Sequence, residues 1–585
     1  MLRIELCLCV LALITAFIYP QLGSRWFEKI ERRFAALARR RTLSVILVGL
    51  LALGLRLAVL PIEPIPEPII HDEFGYLLAA DTFAHGRLTN PTHPMWMHFE
   101  SFSILQKPTY QCFAQPGQGT MLAVGQLIFG HPFWGVWLSV GFMCAAICWM
   151  LQAWLPAHWA LLGAILVLLR YAVFSYWANS YWGGALGAFG GALVLGALPR
   201  IKRSQRVRDA LWMALGLAIL ANNRPYEGFV FSLPVAVALF SWMLSRGAPS
   251  WQLSMRRVVL PLAACLAIAA GAMAYYFWRV TGNPLRMPYQ VERQTYAVSP
   301  LMLWEPVHPQ PAYRHEAMRK MYVDEEFVGY NFFRTAVGQL LKTYMAWSFY
   351  LGPVLTFPLL MLIFALPSDF SVRQIDRRTR FLLALLAVSI IGLALETFYN
   401  PHYSSPLTGV VIALVILATR RLQFWKPRNR PTGLFLARVI PVICVFMFAL
   451  RAAATPLHIP LSEFYEFGWY QKGSHSFGRA VIQQELQRSP GNHLVIVRYK
   501  PDHEPFAEWV YNDADIDHSK IVWAREMSPA ENAGLVQYFL EREVWLLEAD
   551  EQPPKLSPYP RSQTHLLTRK DMQMQILKSE NAPQP

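Results

Sequence analysis

An imidazole and two adjacent carboxylates, His71, Asp72 and Glu73, stand together in the run Pro68-Ile-Ile-His-Asp-Glu-Phe-Gly-Tyr76, just after a long apolar stretch. A carboxylate at a bilayer edge can take the proton of a hydroxyl acceptor while a lipid-linked group waits in the hydrocarbon. The same three residues also suit an ordinary polar loop start. Further on come Lys107-Pro108, Gln115-Pro-Gly-Gln and three short polar turns: Asn179-Ser-Tyr181, Asn222-Asn-Arg224-Pro-Tyr-Glu227 and Tyr399-Asn-Pro-His402-Tyr403-Ser-Ser-Pro406. Arg224 either pairs with Glu227 or faces a phosphate, whose oxygens a guanidinium fork matches. Arg279, Arg286 and Arg293 either orient a phosphate or, the reading preferred, snorkel to lipid head groups. His308 and His315 lack a metal-ligand spacing. Asp513, Asp515 and Asp517 alternate as calcium ligands do, but the turn glycine and closing glutamate are missing. No metal site and no cofactor is expected, and a need for a divalent metal is left open.

These groups need elements to hold them, and composition says which. Of 585 residues 54% are hydrophobic and only 16% charged; the mean hydropathy is +0.27. A soluble domain averages about 25% charged, so the chain is expected to be an α-helical polytopic membrane protein. The net charge of +15 does not signal nucleic acid, because the cations cluster in short loops beside apolar runs. Spans are expected at 4–20, 42–61, 133–153, 158–177, 184–199, 208–221, 228–245, 258–280, 345–366, 380–398, 405–419 and 436–454, about twelve in all. Basic residues then recur on one side, at Arg25–Arg41, Arg200–Arg208, Arg256–Arg257, Arg373–Arg380 and Arg420–Arg430, which is placed in the cytoplasm.

Three parts follow: 1–41, an N-terminal span and basic loop; 42–454, a transmembrane module with external loops 62–132 and 281–344; and 455–585, an external tail. In the first loop, Tyr76 onward reads as an amphipathic helix along the interface, with a second apolar helix near 120–129. In the tail, His493–Tyr499, Lys520–Arg525 and Val544–Glu548 read as strands, and Ser476–Arg488 and Pro529–Arg542 as helices, giving a small α/β domain. Six cysteines lie in apolar runs and only Cys112 in an external loop, so no intramolecular disulfide is expected.

An external loop opening with Asp72-Glu73 and a nearby Tyr76, two interfacial helices, Lys107-Pro108 between them and about twelve spans resemble the GT-C glycosyltransferases. The protein O-mannosyltransferases and the aminoarabinose transferase of lipid A are nearest in pattern, over roughly 42–420. The resemblance implies a polyprenyl-phosphate sugar as donor, membrane lipids as surroundings, and one in-line displacement with inversion. It puts the base at Asp72, with Glu73 beside it, and a phosphate contact at Lys107. It likewise implies that His402 or Tyr403, before a late span, touches phosphate or sugar. One departure stands out. Relatives often keep an acid in the next external turn, where this chain has Asn179, which can hydrogen-bond but cannot act as a base.

Three other readings remain at this stage, one of them a membrane anchor whose tail is a binding module, which would leave the paired carboxylates of the first loop unexplained. A transporter or flippase would carry ionisable groups inside its spans, where only Arg170 and Glu396 are evident. A ligase or polymerase of lipid-linked glycans differs too little to be told apart. No Asn-x-Ser/Thr acceptor is present, since Pro follows Asn90, which favours a bacterial inner membrane with the site facing the periplasm.

Overall fold

The computed structural model describes residues 1–245, 249–365, 374–459 and 478–560. Arg373, the end of the 345–366 run and the start of the Ser476–Arg488 pattern lie outside them. The chain divides into two compact units that do not follow chain order. One draws on the described residues of Met1–Pro66, Phe133–Ala272 and Phe333–Gly473, the other on those of Glu67–Pro132, Met273–Phe332 and Ser474–Pro585.

The first unit is helical. Eleven of the twelve apolar runs fall mainly on one helix each, and the described part of the twelfth, 345–366, falls on two. Among the described residues, eight helices are long and apolar enough to cross a membrane. The chain is an integral membrane protein. Leu2–Ile18, Ala157–Tyr171 and Val207–Asn223 are shorter, at 17, 15 and 17 residues. The run at 345–366 is not one straight span but two helices, Ala336–Tyr350 and Gly352–Ala365, bent by 97°. The break falls at Gly352, whose φ of +53° is a left-handed conformation that glycine adopts at little cost.

Buried charge in the first unit is more frequent than the sequence suggested. Glu5 lies 3.7 Å from Arg170, and Glu63 lies 2.5 Å from Arg451. Arg56 donates to the carbonyls of Ala178, Glu63 and Pro64. All five side chains are buried, and each is matched by an opposite charge or by carbonyls, as desolvated ions require.

The second unit joins residues 67–132 and 273–332 to the described part of the tail. In the first loop β1 (Asn90–Pro91), β2 (Ile104–Leu105) and β3 (Thr109–Cys112) form an antiparallel sheet in the order β1-β3-β2. The tail adds β4 (His493–Arg498), β5 (Ile521–Arg525), β6 (Glu543–Glu548) and β7 (Lys555–Pro558), ordered β5-β4-β6-β7. β5 and β6 both pair parallel to β4, and β7 pairs antiparallel to β6. The short Lys-Leu-Ser-Pro of β7 has no alternation by which it would be read as a strand. Helices Arg479–Arg488 and Pro529–Tyr538 flank the sheet; the second begins with a reciprocal cap between Ser528 and Glu531.

Parallel strands are covered on both faces and so read as continuous apolar runs. Val495, Val497 and Trp523 meet Ile482 and Leu486 of the tail's own first helix. Leu494, Ile496, Val522 and Ala524 meet Phe74, Leu78 and Phe99 of the first loop. One face of the tail sheet is therefore completed by another part of the chain. The same packing corrects the expectation of an amphipathic surface helix after Tyr76. The helix His71–Ala84 buries Phe74, Gly75, Tyr76, Leu78, Ala79, Ala80 and Thr82, because the tail lies on it as well as the helix Pro116–Phe129.

Candidate functional site

In the second unit, Asp72 sits in the first turn of the helix His71–Ala84. There the exposed N–H groups of a helix start favour a carboxylate in its ionised form. Ser103 Oγ donates to Asp72 Oδ1 at 2.7 Å, and His71 Nδ1 lies 2.9 Å from the same oxygen and 2.7 Å from Ser103 Oγ. Ser103 reaches Asp72 because Gly75, one turn on, has no side chain. A Cβ there would meet the Ser103 carbonyl at 2.9 Å and Cys112 Sγ at 3.1 Å. The side chains of Asp72 and His71 remain 18% and 19% exposed. Part of the carboxylate surface therefore stays open.

Glu73 differs although it is the next residue. Its side chain is buried, and Oε1 accepts the backbone N–H groups of Ile69 and Ile70 at 3.3 and 3.2 Å. It ties down the helix start. Tyr76 is buried in the same helix.

A second charged group of residues surrounds His71. Arg293 Nη1 lies 2.5 Å from Glu326 Oε1, Ser299 Oγ donates to the same oxygen at 2.8 Å, and Tyr322 OH donates to Glu292. Burial pulls the His71 imidazole down, but Asp72, Glu326 and Glu292 outweigh it and hold the imidazole above its ordinary value. Burial is also the first cause that pushes Glu292 up to about 7, with Glu326 adding to it and Arg293 opposing. Arg293 therefore does not snorkel: a cation held on the Glu326 carboxylate, both largely shielded from solvent, has no reason to reach for lipid. The ring of Phe102 meets His71 edge-on at 6.2 Å and that of Phe506 stacks on it at 6.0 Å.

Lys107 is exposed and holds its ammonium 4.5 Å from the centroid of Trp96. It stands at the turn between β2 and β3, four residues beyond Ser103. At ~3.3 Å per residue that is about 13 Å along the strand, so the loop does not bring Lys107 to Asp72.

In the first unit, Tyr176 OH lies 3.1 Å from His402 Nδ1 and accepts the His402 backbone N–H at 2.9 Å. The rings of Trp182 and Tyr403 lie 4.6 and 4.9 Å from the imidazole. Arg224 lies over Tyr403 at 3.8 Å and 3.4 Å from Glu227, so the pairing considered from sequence is present. Asn179 is buried and donates to the carbonyls of Val173 and Ser175; Tyr181 OH donates to Pro66 O. Both hold their own turn in place.

The same unit contains a cavity of about 690 Å³ walled by Leu383, Leu386, Ile390, Leu414 and Leu417. Lys342, Tyr399 and Ser404 stand at one end and Arg421 at the other, seventeen residues beyond Ser404. At ~1.5 Å per helical residue the cavity is about 20 Å or more in length. Lys342 is buried and donates to the Glu396 carbonyl at 2.6 Å. It was missed from sequence because the apolar run was started three residues later; a lone lysine on the leading edge of such a run was the available signal. Ser103, Glu292 and Glu326 were also missed. Among the described residues no group of three His, Cys, Asp or Glu side chains is placed to hold a metal ion.

The sequence matches no protein-family model, and a search of curated proteins finds no match. Among solved structures, the chain is similar to an oligosaccharyltransferase of Archaeoglobus fulgidus in complex with zinc and sulfate, at 11% identity and a TM-score of 0.48, covering 86% of this chain and 68% of that one. The same organism's oligosaccharyltransferase AglB, in complex with an inhibitory peptide and a dolichol-phosphate, is similar at 10% identity and a TM-score of 0.46, covering 87% and 70%. ArnT of Cupriavidus metallidurans bound to undecaprenyl phosphate is similar at 12% identity and a TM-score of 0.47, covering 86% and 93%. ArnT is an aminoarabinose transferase, the second of the two groups named by the sequence resemblance.

Proposed function

We propose that the chain is a membrane glycosyltransferase that moves a sugar from a polyprenyl-phosphate donor to an acceptor hydroxyl or amine at the extracytoplasmic face. The observation that carries this reading is the partly exposed, ionisable Asp72 oriented by Ser103 and His71. Asp72 Oδ takes the acceptor proton as the acceptor bonds to the anomeric carbon. The bond from that carbon to the phosphate oxygen breaks on the opposite face, and the configuration inverts. Polyprenyl phosphate leaves as a stable anion, so no strong acid is required. What the leaving group does require is positive charge as its own charge grows.

The long apolar cavity suits an isoprenoid chain, and Lys342 at its end suits the phosphate. Arg224, stacked on Tyr403, and Lys107 are the other candidate contacts; Glu227 sets the position of Arg224, and His402 that of Tyr403. Asn179 and Tyr181 shape the turn that replaces the acidic turn of the GT-C relatives. The surroundings are proposed to be a bacterial inner membrane with Asp72 on the periplasmic side.

Mass analysis of envelope glycans and glycoproteins in cells lacking the chain tests this. Loss of one sugar, restored by the wild-type chain and not by Asp72→Asn at equal membrane abundance, is the expected result. Full restoration by Asp72→Asn would falsify the role of that carboxylate.

A further inference from the structure

A second cavity, of about 350 Å³, lies in the first unit at the end that the positive-inside pattern places in the cytoplasm. Four cations line it: Lys202 and Arg203 at the end of the helix Ala185–Ser204, and Arg377 and Arg378 at the start of the helix Arg377–Leu395. Among the described residues, no carboxylate lines it. The nearest in sequence, Asp376, accepts the N–H groups of Arg378 and Thr379 and so caps its own helix. The neighbouring Arg200 is excluded too, because it donates to the carbonyls of Gly196 and Trp149.

The walls have a polarity gradient. Trp154, at the end of the helix Phe133–Trp154, stacks on Phe381 at 5.7 Å with the rings 6° apart. Its Nε1 is held by the Leu195 carbonyl at 3.0 Å. Phe381 lies one turn inside Arg377 and Arg378, and Leu198 one turn inside Lys202, on the faces that residues three and four apart share. All three helices are long and apolar enough to be spans. Charge therefore sits at the helix ends, and aromatic and aliphatic surface sits one turn deeper toward the hydrocarbon. A soluble phosphate would use the first feature only. A phospholipid uses both, with its phosphate on the cations and its glycerol and first methylenes on Trp154 and Phe381. Basic pockets between span ends on the cytoplasmic side have the chemistry for anionic head groups.

We infer that this pocket binds the head group of an anionic phospholipid of the cytoplasmic leaflet. The inference does not depend on the proposed transfer reaction. The test is native mass spectrometry of the full chain in detergent, with phosphatidylglycerol or phosphatidylcholine of equal chain length added. The wild-type chain is expected to keep phosphatidylglycerol in preference. The quadruple variant Lys202→Gln/Arg203→Gln/Arg377→Gln/Arg378→Gln is expected to hold it at least ~10-fold less, since each cation near an anionic surface contributes about fivefold. A control that removes four other cations assigned to the same side, Arg256→Gln/Arg257→Gln/Lys426→Gln/Arg428→Gln, is expected to bind as wild type. If the quadruple variant does not fold, Lys202→Gln/Arg377→Gln is still expected to lose about fivefold or more. Equal retention of the two lipids overturns the inference, as does an equal loss in the control. So does competition by free glycerol phosphate at the same concentration as the lipid, which would make the ligand a soluble phosphate.

Discussion

Two polar turns invite the same reading from sequence, and the structure builds them differently. The turn at Tyr399–Pro406 is a packed knot. His402 touches Tyr176, Trp182 and Tyr403, Tyr350 OH donates to Pro401 O, and Tyr399 OH meets Ser404 Oγ at 2.6 Å. The turn at His71–Glu73 instead leaves Asp72 partly open, with Ser103 and His71 among the contacts that orient it. A polar residue surrounded by rings and carbonyls is held for the fold. A carboxylate that is aimed yet reachable keeps the freedom to exchange a proton. The largest expected effect follows directly. Asp72→Asn is expected to lower sugar transfer ~10²–10⁴-fold with no loss of melting temperature. His402→Phe is expected to lower the melting temperature and to cost transfer no more than the loss of folded protein explains. Transfer rates and thermal unfolding of the two purified variants check this; the opposite pattern would invert the roles of the two turns.

The next expected effect contrasts buried charge in the second unit with these turns. Arg525 donates to Glu508 and, through Nε, to the carbonyl of Glu100 at 2.6 Å, so one guanidinium links the tail sheet to the first loop. Burial raises the Glu508 carboxyl, but Arg525, Tyr499 and the backbone outweigh it and hold that carboxyl below its ordinary value. Removing one partner leaves a desolvated charge behind, which costs about 3–5 kcal/mol. Arg525→Met is therefore expected to open β4, β5 and the segment near Glu100 together in hydrogen exchange, while the membrane helices keep their protection. Exchange confined to the tail would mean that the first loop does not need the sheet.

Glu292 carries a smaller, pH-dependent effect. Its folded value near 7 stands above the ordinary 4.5. Between those values the folded chain keeps a proton that the unfolded chain has released, so stability falls as pH rises through that window and the loss is complete above it. The upper bound is on the order of 3 kcal/mol. Glu292→Gln cannot ionise and is expected to flatten this dependence. Protection of the helix Pro288–Tyr296, compared at about pH 5 and about pH 8 after correction for intrinsic exchange, is the measurement. An unchanged slope in the variant would assign the dependence to another group.

What could be read in advance follows the range of each interaction. The rhythm of apolar runs is local, and it marked helices at eleven of the twelve runs, while at 345–366 it missed the 97° bend at Gly352. Val- and Ile-rich runs are local too, and they marked β4, β5 and β6. They say that a strand is buried, not what buries it, so the cover supplied by Phe74, Leu78 and Phe99 was hidden. Ser103 was hidden for the same reason: thirty-one residues separate it from Asp72, and the contact depends on the missing side chain of Gly75. Glu292, Arg293 and Glu326 gather only after the second loop folds. The Arg224–Glu227 pair, three residues apart at a helix start, was within reach of sequence.

The smallest effect tests the contrast at its closest, between neighbours. Glu73 accepts two backbone N–H groups with one oxygen, and the amide oxygen of glutamine can accept them as well. Glu73→Gln is expected to leave transfer within a few-fold of wild type, while Asp72→Asn, an equally small change one residue earlier, abolishes most of it. Glu73→Ala removes the acceptor and is expected to cost about 1 kcal/mol, the usual price of a lost helix cap. The loss should appear as fraying at Ile69–Asp72 in hydrogen exchange, and rates should fall only in proportion to the misplaced Asp72. A drop for Glu73→Gln as large as that for Asp72→Asn would show that the two carboxylates work as a pair, and the base could then no longer be assigned to one residue.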